Sequence, residues 1–228
     1  MTARGAGRGK GLARRAGREL LGLSSGEYRT LARLNTPEKI QAFVDSIPQN
    51  FEIGGITCLS VREVLRQRRA LCIEGAMVAA CALWINGEPP WLFDLKAEHD
   101  FDHVVAVFRR GNCWGAVSKT NSPILRWRDP VYRNLRELAM SYFHEYTNRR
   151  HQKTLRSYSV AFDLRRMDPA LWVTNSKQCW EVGWALEAAR HYPLVARRQQ
   201  KLLRLKDGIE REAQKLKMYK PPQAKPRR

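Results

Sequence analysis

Apolar positions first recur at helical spacing at Ile40, Phe43, Val44 and Ile47, behind Thr36-Pro37-Glu38. Thr36 can cap a helix and Pro37 suits its first position, so a helix is predicted here, ended by Pro48. Ser60, with Glu63 three residues on, opens a short second helix carrying Val61, Val64 and Leu65. From Cys72 to Asn86, Ile73, Met77, Ala80 and Trp84 mark one face, and Ala76, Cys81 and Leu83 widen it. Almost no charge follows Glu74, so this helix is expected to be central and buried on most sides, with Asn86-Gly87 as its stop.

After Pro89-Pro90 the pattern changes. Residues 91–95 read as a strand, and residues 103–118 give the clearest β signal in the chain. Val104 to Phe108 is a short apolar run, residues 109–112 are turn material, and Cys113 to Val117 resumes the run. A turn centred on Arg110-Gly111 sets His103 opposite Ser118; one centred on Gly111-Asn112 sets it opposite Thr120. Ser118 and Thr120 share a face, so either register brings a hydroxyl beside His103. Asn121 points the other way in a regular strand, unless the turn at Ser122-Pro123 brings it back.

A helix over 130–146 is predicted next, with Asp129 as N-cap, Pro130 at its first position and Leu135, Leu138, Ala139, Tyr142 and Tyr146 inward. A strand over 155–164 and a helix over 177–190 follow. After Pro193 a long basic helix is expected to reach about Met218, with Leu202, Leu205, Ile209 and Leu216 along one side.

Composition sets outer limits on this picture. A chain of 228 residues with 43% hydrophobic content can bury one substantial core. No apolar run approaches the roughly 20 residues of a membrane span, and no apolar segment follows the N-terminal charges, so a secretory signal is not expected. Five widely spaced cysteines favour free thiols in a reducing compartment, hence a cytoplasmic location.

The net charge of +19 suggests nucleic acid, but it lies mainly at the ends. Residues 1–18 carry six basic and no acidic side chains, and residues 195–228 carry twelve basic and three acidic, leaving +4 for residues 19–194. A disordered basic arm over 1–18, a domain over 19–194 with its core at 36–150, and a basic helix and tail over 195–228 are the expected organisation. The two ends are candidate contacts for nucleic acid or another anionic surface.

The candidate chemistry rests on Cys72 and His103. A helix N-terminus lowers a thiol pKa through its unpaired N–H groups and dipole, and Cys72 stands where such a helix begins. The competing reading is a buried core thiol, which is also how Cys58, Cys81, Cys113 and Cys179 read. His99, Asp100, Asp102 and His103 crowd together, but in a strand the two carboxylates face away from the two imidazoles, so no metal site is expected. No cofactor is expected either. His144 is explained by packing among Tyr142, Phe143 and Tyr146.

Three segments in order, Cys72-Ile-Glu-Gly-Ala76, His103-Val-Val-Ala-Val107 and Trp114-Gly-Ala-Val-Ser118, resemble the transglutaminase-like superfamily. The likeness is closest to its small bacterial members of unassigned function. It covers about residues 36–150, best over 60–122. It implies an α+β fold of the papain-like cysteine protease type, with a central helix packed on an antiparallel sheet; here a basic C-terminal helix is added. It also implies that Cys72 is the acyl-accepting nucleophile and His103 its base.

Where that family usually carries an Asp to orient the histidine, this chain has Ser118. A hydroxyl can orient a neutral imidazole but cannot stabilise imidazolium as a carboxylate does. Three readings stay open: a triad completed by Ser118, one completed by Asn121 as in papain-like enzymes, or a domain that has lost catalysis. The function expected is a cysteine-dependent amide hydrolase or acyltransferase acting on a protein or peptide amide. The alternative is an inactive transglutaminase-like binding domain whose basic ends engage nucleic acid or an anionic surface.

Overall fold

The computed structural model describes residues 15–222. Residues 1–14 of the expected basic arm and 223–228 of the tail lie outside the described residues. Within residues 15–18 the arm already touches the core: Ala16 is buried and its N–H donates to the Trp84 carbonyl at 3.2 Å.

Four helices, α1 (Arg18–Leu21), α2 (Ser25–Ala32), α3 (Pro37–Ser46) and α4 (Val61–Gln67), lead into the central α5 (Cys72–Ile85). Thr36 and Ser60 accept from the backbone N–H groups of Lys39 and Glu63, so α3 and α4 start where their sequence places them. Helix α5 is apolar all round, and twelve of its fourteen residues are buried.

Then come β1 (Trp91–Ala97), β2 (His103–Arg110), β3 (Cys113–Val117), β4 (Arg128–Tyr132), α6 (Leu135–Phe143), β5 (Leu155–Ser159) and β6 (Phe162–Asp163). A 3-10 turn, α7 (Pro169–Trp172), α8 (Trp180–Ala188), β7 (His191–Pro193), α9 (Arg197–Gln200) and α10 (Gly208–Lys215) complete the described chain. The strands form a seven-stranded antiparallel sheet in the order β4-β3-β2-β1-β5-β7, with β6 paired to β1.

The alternation of β1 and β2 divides the core. Leu92, Val104, Ala106 and Phe108 face α5 and the other N-terminal helices. Phe93, Leu95, Val105 and Val107 face α6 with Tyr142 and Phe143. The chain is therefore α+β, with an open antiparallel sheet between helices. Among the described residues no helix is long and apolar enough to cross a membrane.

The β2–β3 hairpin pairs Arg110 with Cys113, so its turn is Gly111-Asn112, the second of the two expected registers. Gly111 takes the positive φ of +56° that this tight turn demands.

Three expected elements differ. The helix over 130–146 starts later, at Leu135 with Asn134 as N-cap, because Asp129-Pro130 belongs to β4. Proline is tolerated there since β4 is an edge strand, which needs only one side of its hydrogen-bonding groups. The strand over 155–164 divides into β5, β6 and the 3-10 turn. The long basic helix is two short ones, α9 and α10. Its apolar stripe finds nothing to pack against: Leu202, Leu205, Ile209 and Leu216 are all exposed, so a continuous helix gains no tertiary support.

Candidate active site

Cys72 and His103 line one cleft of about 400 Å³ at the end of the sheet where β2 begins. Asp100, Phe101, Asp102, Lys119, Thr120, Asn121 and Tyr146 also reach it.

Cys72 is the first residue of α5 and is half-buried. The start of α5 is fixed by Glu74, fully buried, whose carboxyl accepts from the N–H groups of Leu71 (2.6 Å) and Leu59 (2.8 Å). It also accepts from the Thr57 hydroxyl at 2.8 Å and the Asn50 amide at 3.2 Å. One side chain thus ties the 50–59 loop to the first turn carrying the thiol. The surroundings do not lower the thiol pKa as the helix start suggested. Burial pushes Cys72 up, and the nearby Glu74 and Asp94 carboxyls add to this against the opposing pull of the Val104 and Ile73 N–H groups.

His103 opens β2, paired with Leu95, so its side chain lies on the α6 side of the sheet. Its Nε2 is 2.8 Å from Ser118 Oγ. Ser118 Oγ is in turn 2.5 Å from the Leu125 carbonyl, which can only accept. The serine proton therefore points at Leu125, the serine oxygen accepts from His103 Nε2–H, and the neutral imidazole keeps its lone pair on Nδ1. Burial, helped by the positive charge of Arg128, pulls the His103 pKa down from 6.5 to about 4, against the pull of the Leu125 carbonyl.

Two further groups hold this relay. The Gln41 carboxamide on α3 donates to the Ser118 carbonyl and accepts from the Ser118 N–H, both at 2.9 Å. Leu125 adopts a left-handed φ of +58°, a strained state for a residue with a side chain. It is held there by its N–H bond to Glu145 at 2.7 Å and by the bond it receives from Ser118.

Asn121, the other candidate orienter, does not reach His103. Its side-chain amide bonds the backbone of Tyr219 instead, donating to the carbonyl at 3.0 Å and accepting from the N–H at 2.7 Å. Among the described residues there is also no hydrogen bond between Cys72 and His103. The structure thus joins His103 to Ser118, sets Cys72 in the same cleft, and assigns Asn121 elsewhere. Asp102 accepts from the Ala97 N–H at the end of β1, and Asp100 from Thr154 Oγ1 just before β5, at 2.8 Å each.

Sequence reasoning passed over Lys119. It is 1% exposed, its stem lies against α5, and its Nζ donates to the Ile47 carbonyl at 2.5 Å. A Cβ at Gly75 would come within 2.5 Å of Lys119 Cβ, so only glycine lets the two elements approach this closely. A glycine inside so buried a helix was the available signal. Burial pulls the Lys119 pKa down to about 8, although Asp45 opposes this. Glu74 also carried a signal, as the lone charge within an otherwise apolar helix.

The chain matches no protein-family model, and no curated protein matches it at a significant level.

Proposed function

We propose that the cleft is the site of a cysteine-dependent amide hydrolase or acyltransferase of transglutaminase-like type. Cys72 is the nucleophile, His103 the base and Ser118 the residue that positions it. The observation that carries this reading is the contact of His103 Nε2 with Ser118 Oγ, which in turn meets the Leu125 carbonyl. Because Ser118 commits its proton to Leu125, the basic lone pair is on Nδ1, in a residue that lines the same cleft as the thiol.

The reaction follows from these groups. The Cys72 thiol gives its proton to His103 Nδ1 as sulfur attacks the amide carbonyl, and the backbone N–H of Cys72 is a donor for the oxyanion. His103 returns the proton to the departing amine, leaving an acyl-thioester. Water then releases the acid, or a second amine takes the acyl group. With the Cys72 pKa raised and the His103 pKa lowered, both groups are neutral at rest and ionise only during reaction. The five free cysteines suit a reducing compartment such as the cytoplasm.

A second reading, a binding domain without catalysis, is favoured by that same raised thiol pKa and by the missing Cys72–His103 bond. Its partner would be nucleic acid or an anionic surface, engaged by the basic ends. Iodoacetamide alkylation separates the two readings, read at Cys72 by peptide mass mapping between about pH 6 and 9. A general base contributes roughly a hundredfold or more, so His103→Ala is expected to slow Cys72 alkylation at least tenfold near neutral pH, and Ser118→Ala by less. Equal rates in the three proteins would rule out the catalytic reading.

A further inference from the structure

The segment after α10 lies along the lip of the cleft, and it is held in an unusual way. Three of its contacts are to backbone atoms alone. The Met218 N–H donates to the Asn121 carbonyl at 3.1 Å, and the Asn121 carboxamide grips both the N–H and the carbonyl of Tyr219. Such contacts read the backbone, here bent at Met218 and Tyr219, and not the side chains. One side chain is read as well. The Tyr219 hydroxyl donates to the Asp45 carbonyl at 2.5 Å, and the Lys119 ammonium lies 5.0 Å from its ring centre.

From this geometry we infer that Asn121, Lys119 and the Asp45 carbonyl form a binding subsite for a short peptide segment bearing a tyrosine, taken up in the bent backbone that the chain's own Met218–Tyr219 adopts there. Insofar as it names the substrate class of the cleft, the inference rests on the catalytic reading above; the binding itself does not. Backbone bonds give such a site affinity, and the one side-chain pocket gives it specificity. Lys119 is fixed in the floor of this pocket by the Ile47 carbonyl and by the room that Gly75 leaves.

The occupant is weakly retained. Helix α10 buries no residue, and Leu216 and Met218, which flank Lys217, are both exposed. The tail's hold is concentrated at Tyr219, helped by a bond from Gln214 to Thr147 Oγ1 at 2.9 Å. Segments with so little burial open locally at small cost, so a competing peptide need displace only these few contacts. Tethering gives the tail an effective concentration near millimolar, which sets how strongly a rival must bind.

The test uses full-length protein and a fluorescent peptide with the sequence of residues 215–222. Anisotropy titrations compare wild type, Tyr219→Ala and the double variant Tyr219→Ala/Asn121→Asp, each first shown to melt cooperatively. Tyr219→Ala is expected to bind the peptide at least tenfold more tightly than wild type, because the tail no longer competes. Asn121→Asp removes the donor but keeps the fold's volume, and it is expected to weaken that binding at least tenfold. The same peptide with alanine for tyrosine is expected not to bind. Equal affinity of the three proteins, no binding to Tyr219→Ala, or equal binding of both peptides would each overturn the inference. No chemistry at Cys72 enters the readout, so an inert thiol would sink the catalytic reading and leave this one standing.

Discussion

At His103 the protein holds an imidazole neutral in a place where protonation is costly. Its pKa of about 4 against an ordinary 6.5 has a definite sign for stability. As pH falls through about 6.5 the unfolded chain takes up a proton that the folded one refuses until about 4, so stability is lost across that window. Between pH 7 and 5 the loss from this residue is about 2 kcal/mol. Chemical denaturation at the two pH values should show that decrement in wild type and its absence in His103→Gln; the same slope in both would refute the assignment. A hydroxyl beside His103 was legible in the sequence because side chains alternate in a strand; that it is Ser118, although the observed register sets Thr120 opposite His103, was not. The depressed imidazole and the raised thiol pKa were not legible. Both depend on burial in a cleft that Phe51, Leu125 and Tyr146 help to line, and a local sequence pattern does not show that these come together.

At the scale of elements, the start of α5 depends on a single carboxyl. Glu74 gathers four donors from Asn50, Thr57, Leu59 and Leu71 into a buried point. Glu74→Ala would strand all four, with a cost of about 3 kcal/mol or more. Glu74→Gln keeps one acceptor oxygen and should cost less. Denaturant midpoints of the two variants check this, and an unchanged midpoint for Glu74→Ala would remove its role. Helices α3 and α4 could be read from sequence because each has its own start signal and a face to bury, and α5 because it is apolar almost throughout and stops at Asn86-Gly87. Helix α6 was extended too far because Asp-Pro is written the same way at a helix start and on an edge strand. The C-terminal stripe of leucines was read as one helix because spacing alone does not say whether a partner surface exists. That Asn121 turns to Tyr219 was not legible for a related reason: the two lie 98 residues apart.

For the whole molecule, the order of strands places β4 and β7 at the two ends of the sheet, and each contains a proline, Pro130 in one and Pro193 in the other. Proline lacks the N–H that an added strand would need, so both margins are poor templates for another chain. Free hydrogen-bonding groups at a sheet margin invite pairing with another chain, and here a proline stands in each of the two end strands. Replacing Pro130 and Pro193 together with Val should leave the fold intact while hastening thioflavin-positive aggregation of concentrated protein; an unchanged lag time would mean that something other than the prolines guards the margins. The proline that disguised β4 as a helix start would then be what keeps neighbouring copies of the chain apart.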